Sequence, residues 1–112
     1  MARVKSKGAI RHRKVLDQAK GFKQARSSRF KTAKEAVLHA GQYAYHGRKR
    51  KKRDLRSLWI TRIGAAAKLE GTNYNSLISG LKKANIDLDR KILASIAVSD
   101  PDSFKEIVKA SK

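Results

Sequence analysis

Six consecutive basic residues, Arg48-Lys49-Arg50-Lys51-Lys52-Arg53, run directly into the sequence Asp54-Leu55-Arg56-Ser57-Leu58-Trp59-Ile60. Successive residues of an α-helix are turned by about 100°, so six of them cover the whole circumference and leave no face for an apolar core. A run of like charges also repels itself. The segment is therefore expected to be stable only against a densely negative partner.

The composition divides the chain at this segment. The 112 residues contain 28 Lys and Arg against nine Asp and Glu, a net charge of +19. Residues 1–58 hold 19 of the basic residues and three acids, whereas residues 59–112 hold nine and six. Large apolar and aromatic residues run the other way, 12 against 17. We expect a basic arm, residues 1–54, that is disordered when free and helical on nucleic acid, and a globular all-helical module, residues 55–112.

Several classes of function are disfavoured by the sequence. Without cysteine there is no disulfide, thiolate metal site or Cys nucleophile. No apolar run approaches the roughly 18 residues that span a bilayer, and no signal-peptide block is present, so a soluble intracellular protein is expected. His12, His39 and His46 are scattered without an acidic cluster, and Glu35 and Asp54 are expected to hold arginines in place. We expect no metal, no cofactor, no small-molecule substrate and no enzymatic activity.

The arm contains two predicted helices. Met1–Gly8 alternates bases with small residues and is expected to be extended, whereas Ala9–Lys20 predicts a short helix that stops at Gly21. Ser27 or Ser28 is expected to cap the second helix. No proline lies between the first residue and Pro101, so this helix is expected to run from about residue 29 into the sixties. Its apolar stripe is narrow and consists of Phe30, Ala33, Val37, Ala40 and Ala44.

The module reads as four helices joined by short loops. Apolar residues recur at helical spacing through Leu55, Leu58, Trp59 and Ile63, which assigns Trp59 to the core, and this helix is expected to end near Gly71. Acceptor side chains at helix starts mark the other three: Thr72 or Asn73, Asp87 or Asp89, and Asp100 before Pro101. The predicted fold class is all-α, with the long basic arm followed by a small antiparallel helical bundle.

The candidate nucleic-acid contacts are the basic residues of the arm, three polar or aromatic neighbours and two arginines beyond the basic run. Cations neutralise phosphates, and tyrosine rings stack on nucleobases. The candidates are Arg3, Lys5, Lys7, Arg11, His12, Arg13, Lys14, Lys20, Lys23, Arg26, Arg29, Lys31, Lys34, Gln42, Tyr43, Tyr45, Arg48, Lys49, Arg50, Lys51, Lys52, Arg53, Arg56 and Arg62.

Some of these assignments have structural alternatives that the sequence leaves open. Tyr43 and Tyr45 lie two residues apart and cannot share a helical face, so each either stacks on an unpaired base or packs in a helix–helix contact. Arg62 either contacts nucleic acid or covers apolar surface with its stem. Phe22 and Phe30 either wedge against the partner or make local helix contacts.

The segment Lys52-Arg53-Asp54-Leu55-Arg56-Ser57-Leu58-Trp59-Ile60-Thr61-Arg62-Ile63, preceded by Ala40-Gly41-Gln42-Tyr43-Ala44-Tyr45, resembles bacterial large-ribosomal-subunit proteins of the L20 family. The likeness continues in Ala19-Lys20-Gly21-Phe22, Gly80-Leu81-Lys82-Lys83-Ala84 and Leu88-Asp89-Arg90-Lys91-Ile92-Leu93-Ala94, and it covers essentially the whole chain. Gly64 departs from the pattern, because the family usually has Asn there.

The resemblance implies a structural protein of the ribosome, in the cytoplasm or in an organelle of bacterial descent. It further implies direct binding of 23S-type ribosomal RNA, a requirement in early large-subunit assembly, contacts with neighbouring ribosomal proteins and, in some members, repression of their own messenger RNA. Competing hypotheses are a DNA-architectural protein, which would prefer duplex DNA as a dimer, a membrane-active basic domain, and an enzyme acting on nucleic acid, for which no acid or metal constellation exists.

Overall fold

The computed structural model describes residues 6–112, and within that range the chain forms helices joined by short turns, with no β-strand. The elements are α1 (Lys7–Gln18), a 3₁₀ turn (Gln24–Ser27), α2 (Phe30–Leu69), α3 (Tyr74–Lys83), α4 (Arg90–Ser99) and α5 (Pro101–Ala110). The all-α prediction is confirmed, and so is the single long helix from about residue 29 into the sixties. Residues 1–5, which include most of the segment expected to be extended, lie outside the described residues.

The chain divides into two compact units, Met1–Lys49 and Arg50–Lys112. Helix α2 contributes its first residues to the first unit and its last residues to the second. The disorder expected for the free arm, with its boundary after residue 54, stays a prediction about the chain in solution.

Helix α1 starts earlier than its apolar pattern indicates. The Ser6 side-chain oxygen accepts a hydrogen bond from the Ala9 backbone N–H at 3.2 Å, and an N-cap of this kind satisfies a donor that the first turn otherwise leaves unpaired. Lys7 and Gly8 are therefore helical, which corrects the expectation that the chain is extended up to Gly8. Gly21 takes the left-handed conformation (φ +85°) in the turn that follows α1.

The predicted cap of α2 at Ser27 or Ser28 is wrong, because Ser27 is the last residue of the 3₁₀ turn and Ser28 is the C-cap of that turn. The Ser27 hydroxyl donates back to the Gln24 carbonyl at 3.0 Å. Arg29 stands immediately before α2, and its carbonyl accepts the first helical hydrogen bond, from the Ala33 N–H at 2.8 Å.

The apolar interior of the first unit is small. Among its described residues only Ala19 and Ala33 are fully buried, whereas Val15 and Phe30 are half-buried. The Phe30 ring stacks on His12 with 3.8 Å between ring centroids and 18° between planes. The local contact foreseen as one alternative for Phe30 is therefore present, and α1 is joined to the start of α2 by one aromatic pair.

The second unit holds the main core, to which four helices contribute. The buried side chains are Ile63 and Ala67 of α2, Leu77 and Leu81 of α3, Leu93 and Ala94 of α4, and Phe104 and Val108 of α5. Trp59 is half-buried and packs against this cluster, as its place in the apolar stripe predicts. The four helices predicted for the second half of the chain are therefore present.

Short polar signals set the starts of the last three helices. The Asn73 side chain accepts from the Ser76 N–H at 2.8 Å, and Asp100 accepts from the Ser103 N–H at 3.2 Å ahead of Pro101. Asp89 occupies the N-cap of α4 by position, without a side-chain cap hydrogen bond. These residues lie among the alternatives that the sequence proposed.

The C-termini of α2 and α3 end in the same motif. Gly71 (φ +73°) and Asn85 (φ +54°) are left-handed, and the residues after them donate backward, Thr72 N–H to the Ala67 carbonyl at 3.0 Å and Ile86 N–H to the Leu81 carbonyl at 2.9 Å. The left-handed residues also donate, Gly71 N–H to the Lys68 carbonyl at 3.1 Å and Asn85 N–H to the Lys82 carbonyl at 3.2 Å. The two bonds at each helix end form a Schellman motif, which satisfies carbonyls that the helix end leaves unpaired.

Candidate nucleic-acid interface

All candidate contact residues from Lys7 to Arg62 are exposed. Arg3 and Lys5 lie outside the described residues. Helix α1 carries Lys7, Arg11, His12, Arg13 and Lys14. The connecting segment carries Lys20, Lys23, Arg26 and Arg29. Helix α2 carries Lys31, Lys34, Gln42, Tyr43, Tyr45, Arg48, Lys49, Arg50, Lys51, Lys52, Arg53, Arg56 and Arg62. These side chains are therefore accessible, as contacts with a polyanion require.

The six-base run Arg48–Arg53 lies entirely within α2, and every residue of it is exposed. Its one ion pair among the described residues joins the Arg50 Nε to the Asp54 Oδ2 at 3.8 Å, which confirms the expectation that Asp54 holds an arginine. Both side chains are more than two-thirds exposed, and an exposed pair of this kind contributes at most about 1 kcal/mol. The pair can therefore be exchanged readily for a phosphate contact.

Neither tyrosine of the first unit is packed away. Tyr43 is 75% exposed and Tyr45 is 53% exposed. The Tyr45 and His46 rings meet edge-on, with 73° between their planes, and the Lys49 Nζ lies over the Tyr45 ring at 5.5 Å from its centroid, within the range of a cation–π contact. The Tyr43 ring is thus largely open, whereas Lys49 lies over one face of Tyr45. The exposure of both side chains favours stacking over burial in a helix–helix contact.

A groove in the first unit joins residues that sequence reasoning did not group. It has a volume of about 740 Å³ and is lined by Gly21, Phe22, Lys23, Arg26, Thr32, Glu35, Ala36, His39 and Tyr43. Four of the α2 residues, at positions 32, 36, 39 and 43, recur at helical spacing and share a face. The shared face could be predicted from that spacing. The packing of the segment after α1 against this face could not be predicted from the sequence.

Among the described residues, Glu35 is not found in the role that the sequence suggested. Within residues 6–112 the side-chain ion pairs join Lys20 to Asp17, Arg50 to Asp54 and Lys105 to Asp102. Glu35 takes part in none of them and instead lines the groove.

Arg62 is exposed on the second unit and borders a recess with Trp59, Lys91 and Val98. The two interpretations given for it, nucleic-acid contact and rim arginine, both remain open. Arg90, which the sequence did not single out, is half-buried and donates from its Nε to the Tyr74 hydroxyl at 2.9 Å. This hydrogen bond joins the first turns of α3 and α4.

The described part of the chain lacks two other kinds of site. No group of three or more His, Cys, Asp or Glu side chains there could hold a metal ion. None of the helices there combines the length and the apolar character that crossing a membrane requires.

The fold and the surface define a class: a small all-helical protein whose first half displays cations and open aromatic rings rather than an enclosed pocket. The family model described as ribosomal protein L20 matches residues 2–107. The chain therefore belongs to the ribosomal protein L20 family, as its resemblance implied. Membership makes it a structural protein of the ribosome, a particle of the cytoplasm.

The sequence of this chain aligns with those of curated relatives over most of their length. The chain is 54% identical to "Large ribosomal subunit protein bL20" of Chloroflexus aurantiacus, with 100% of this chain and 96% of the relative covered. It is 55% identical to the protein of the same name from Pelobacter propionicus, with 100% and 97% covered. Against the Legionella pneumophila protein of that name the identity is 57%, with 91% and 86% covered.

Proposed function

We propose that this chain is a structural constituent of the large ribosomal subunit and binds the subunit's ribosomal RNA directly through the exposed bases of α1, the connecting segment and α2. The observation that carries the proposal is the six-base run Arg48–Arg53, which lies in a helix with every side chain exposed. Six exposed cations in a row repel one another, and only a partner of high negative charge density makes the arrangement favourable.

The mechanism of binding is neutralisation of phosphates. Each Lys or Arg that meets a phosphate releases condensed counterions, so affinity falls with salt in proportion to the number of contacts. Arginine also presents a planar fork to two phosphate oxygens and stacks on bases, which lysine does less well. The exposed rings of Tyr43 and Tyr45 supply stacking surface for unpaired bases.

The role in the ribosome follows from the same chemistry. An arm that neutralises phosphates lets RNA helices approach one another, so we propose that the chain acts early in large-subunit assembly and contacts neighbouring ribosomal proteins there. The names of its relatives support the large subunit as its location. Binding and repression of its own messenger RNA stay a prediction of the family resemblance.

The test is competition binding of the full chain among a large-subunit ribosomal RNA transcript, duplex DNA of equal length and anionic vesicles. We expect the transcript to retain the protein at salt concentrations that release it from the other two. Preference for duplex DNA would instead support a DNA-architectural protein, and strongest retention on vesicles a membrane-surface protein. Equal retention on all three would contradict specific RNA binding.

A further inference from the structure

The groove of the first unit has two differently built walls. One wall is the connecting segment after α1, which supplies Phe22, Lys23 and Arg26, and the other is the α2 face that includes Glu35, His39 and Tyr43. The Thr32 hydroxyl, on the second wall, donates to the Ala25 carbonyl on the first at 3.0 Å. This hydrogen bond ties the 3₁₀ turn to α2, so the groove is held by the fold of the unit itself.

The lining combines three kinds of chemistry in a volume of about 740 Å³, within the range typical of small-molecule sites. The rings of Phe22, His39 and Tyr43 offer stacking surface. Lys23 and Arg26 offer positive charge. Glu35 adds a carboxylate, which repels phosphate and accepts hydrogen bonds but cannot donate them when ionised. A groove that served only a phosphate backbone would gain nothing from that carboxylate.

We propose that this groove holds one unpaired nucleotide of the bound RNA, an inference that rests on the proposed function. The base lies against the aromatic side chains, of which Tyr43 is 75% exposed, and its phosphate faces Lys23 and Arg26. Recognition of RNA sequence depends on bases that are splayed out of a helix, stacked on aromatic side chains and hydrogen-bonded along their edges. Stacking surface, cations and an edge acceptor together match one nucleotide rather than a duplex.

The carboxylate of Glu35 also restricts the base. Adenine, cytosine and guanine carry an exocyclic amino group that donates to a carboxylate, whereas the corresponding position of uracil is a carbonyl oxygen, an acceptor like the O4 of thymine. Uracil offers only its N3–H, which lies between two carbonyl oxygens that the carboxylate repels. The groove is therefore expected to favour an amino-bearing base over uracil.

The first experiment locates the nucleotide. Tyr43 is replaced by p-azidophenylalanine, the full chain is bound to the large-subunit ribosomal RNA transcript, and the photo-crosslinked nucleotides are read by primer extension. We expect crosslinks concentrated on one unpaired adenine, cytosine or guanine. The same replacement at Tyr45, which does not line the groove, is the matched control and should mark a different place. Crosslinks from position 43 spread along duplex, or confined to uracil, would overturn the inference.

The second experiment tests the role of Glu35. Changing the located nucleotide to uracil should weaken binding of the unmodified chain about tenfold, and Glu35→Gln should reduce this discrimination to about twofold or less, because an amide can pair with uracil. Asp17→Asn is the control, since it removes one acid of the same unit that lies outside the groove, and it should leave the discrimination at about tenfold. Unchanged discrimination in Glu35→Gln would overturn the inference.

The two hypotheses can fail separately. If the chain shows no preference for the ribosomal RNA transcript in the competition experiment, the proposed function fails and the groove loses its ligand. If the preference is present but the crosslinks and the discrimination do not behave as stated, only the nucleotide site is refuted.

Discussion

Gly80 is the glycine of the second unit that leaves the least room for a side chain. A Cβ built on this α3 glycine would overlap the Ser111 carbonyl oxygen and lie 2.9 Å from the Ser111 carbonyl carbon. Ser111 is held by its own hydrogen bonds, from its N–H to the Ile107 carbonyl at 3.1 Å and from its hydroxyl to the Val108 carbonyl at 2.7 Å. Relief of the overlap therefore requires displacement of the end of α5.

We predict that Gly80→Ala lowers the free energy of unfolding by about 1–2 kcal/mol, because overpacking exceeds the gain of roughly 1 kcal/mol from better helix propensity. The measurement is urea unfolding followed by fluorescence of Trp59, the single tryptophan, which packs against the core of this unit. An unchanged or increased unfolding free energy would show that the end of α5 yields without cost.

Gly64 is the matched opposite case on α2. Its added Cβ would meet only the Tyr74 Cβ, at 3.9 Å, an ordinary van der Waals distance. Gly64→Ala should therefore raise the free energy of unfolding by about 0.5–1 kcal/mol through helix propensity alone. The same fluorescence experiment measures the change. A loss of stability would mean that the fold requires a residue without a side chain at this position.

Asp100 is the N-cap of helix α5, and this cap makes the stability of the element depend on pH. The side-chain hydrogen bond from the Ser103 hydroxyl, followed by the Ser103 backbone N–H, lowers the pKa of Asp100 below its ordinary value of 3.8. A carboxyl whose pKa is lower in the folded chain stabilises the fold above its unfolded pKa, and that contribution is lost as the pH falls through the folded pKa.

We predict that Asp100→Asn removes this part of the acid sensitivity. Asparagine caps a helix about as well but does not titrate in this range, so the variant should lose less stability than the unmodified chain as pH falls below about 4. Thermal unfolding at a series of pH values measures the difference. In a direct check by NMR titration, Ser103→Ala should raise the pKa of Asp100 toward 3.8; an unmoved titration would rule out the Ser103 hydroxyl as its main cause.

Elements with strong local signals could be predicted from the sequence, and those that depend on packing could not. Gly71 and the Asp100-Pro101 pair mark helix boundaries by backbone chemistry alone, and the structure has boundaries at both. Ser6 lay outside the apolar pattern of α1, so its cap was missed. Ser27 has the right side chain for a cap, but the 3₁₀ turn uses its hydroxyl locally, which no periodicity reveals.

The candidate site divides in the same way. The exposure of the basic residues followed from the sequence, because the run Arg48–Arg53 covers every face of a helix and so cannot be buried. The groove did not, since it requires the connecting segment after α1 to fold back on α2 through the Thr32–Ala25 hydrogen bond. Contacts between elements of this kind carry no local sequence signal.

At the scale of the whole molecule, the two units differ in how much apolar surface supports them. The described part of the first unit has only two fully buried residues, Ala19 and Ala33, against the eight-residue core of the second. We predict that limited trypsin digestion of the free chain removes the arm first and leaves a fragment beginning near residue 55, because local opening is easiest where few apolar contacts exist. Mass spectrometry identifies the fragment.

Digestion of the RNA-bound chain is the control for this prediction. Ribosomal RNA should slow cleavage in the arm far more than in the module, because binding stabilises what it contacts. A free chain that resists digestion at full length as long as the fragment does would show that the first unit is stable by itself.

The uneven distribution of charge gives the last prediction, which concerns where on the molecule cations matter. A first variant has Arg48–Arg53 changed to glutamine and loses six exposed charges. A second variant loses the same number from the module, where glutamine replaces six exposed lysines: Lys68, Lys82, Lys83, Lys105, Lys109 and Lys112. If the basic run meets phosphates, the first should lower the magnitude of the slope of log K against log salt by up to about 4–5, and the second should lower it by less than about 1. Filter binding of the ribosomal RNA transcript over a salt series measures both slopes. Equal losses in the two variants would mean that RNA responds to the net charge of the chain and not to the run before Asp54.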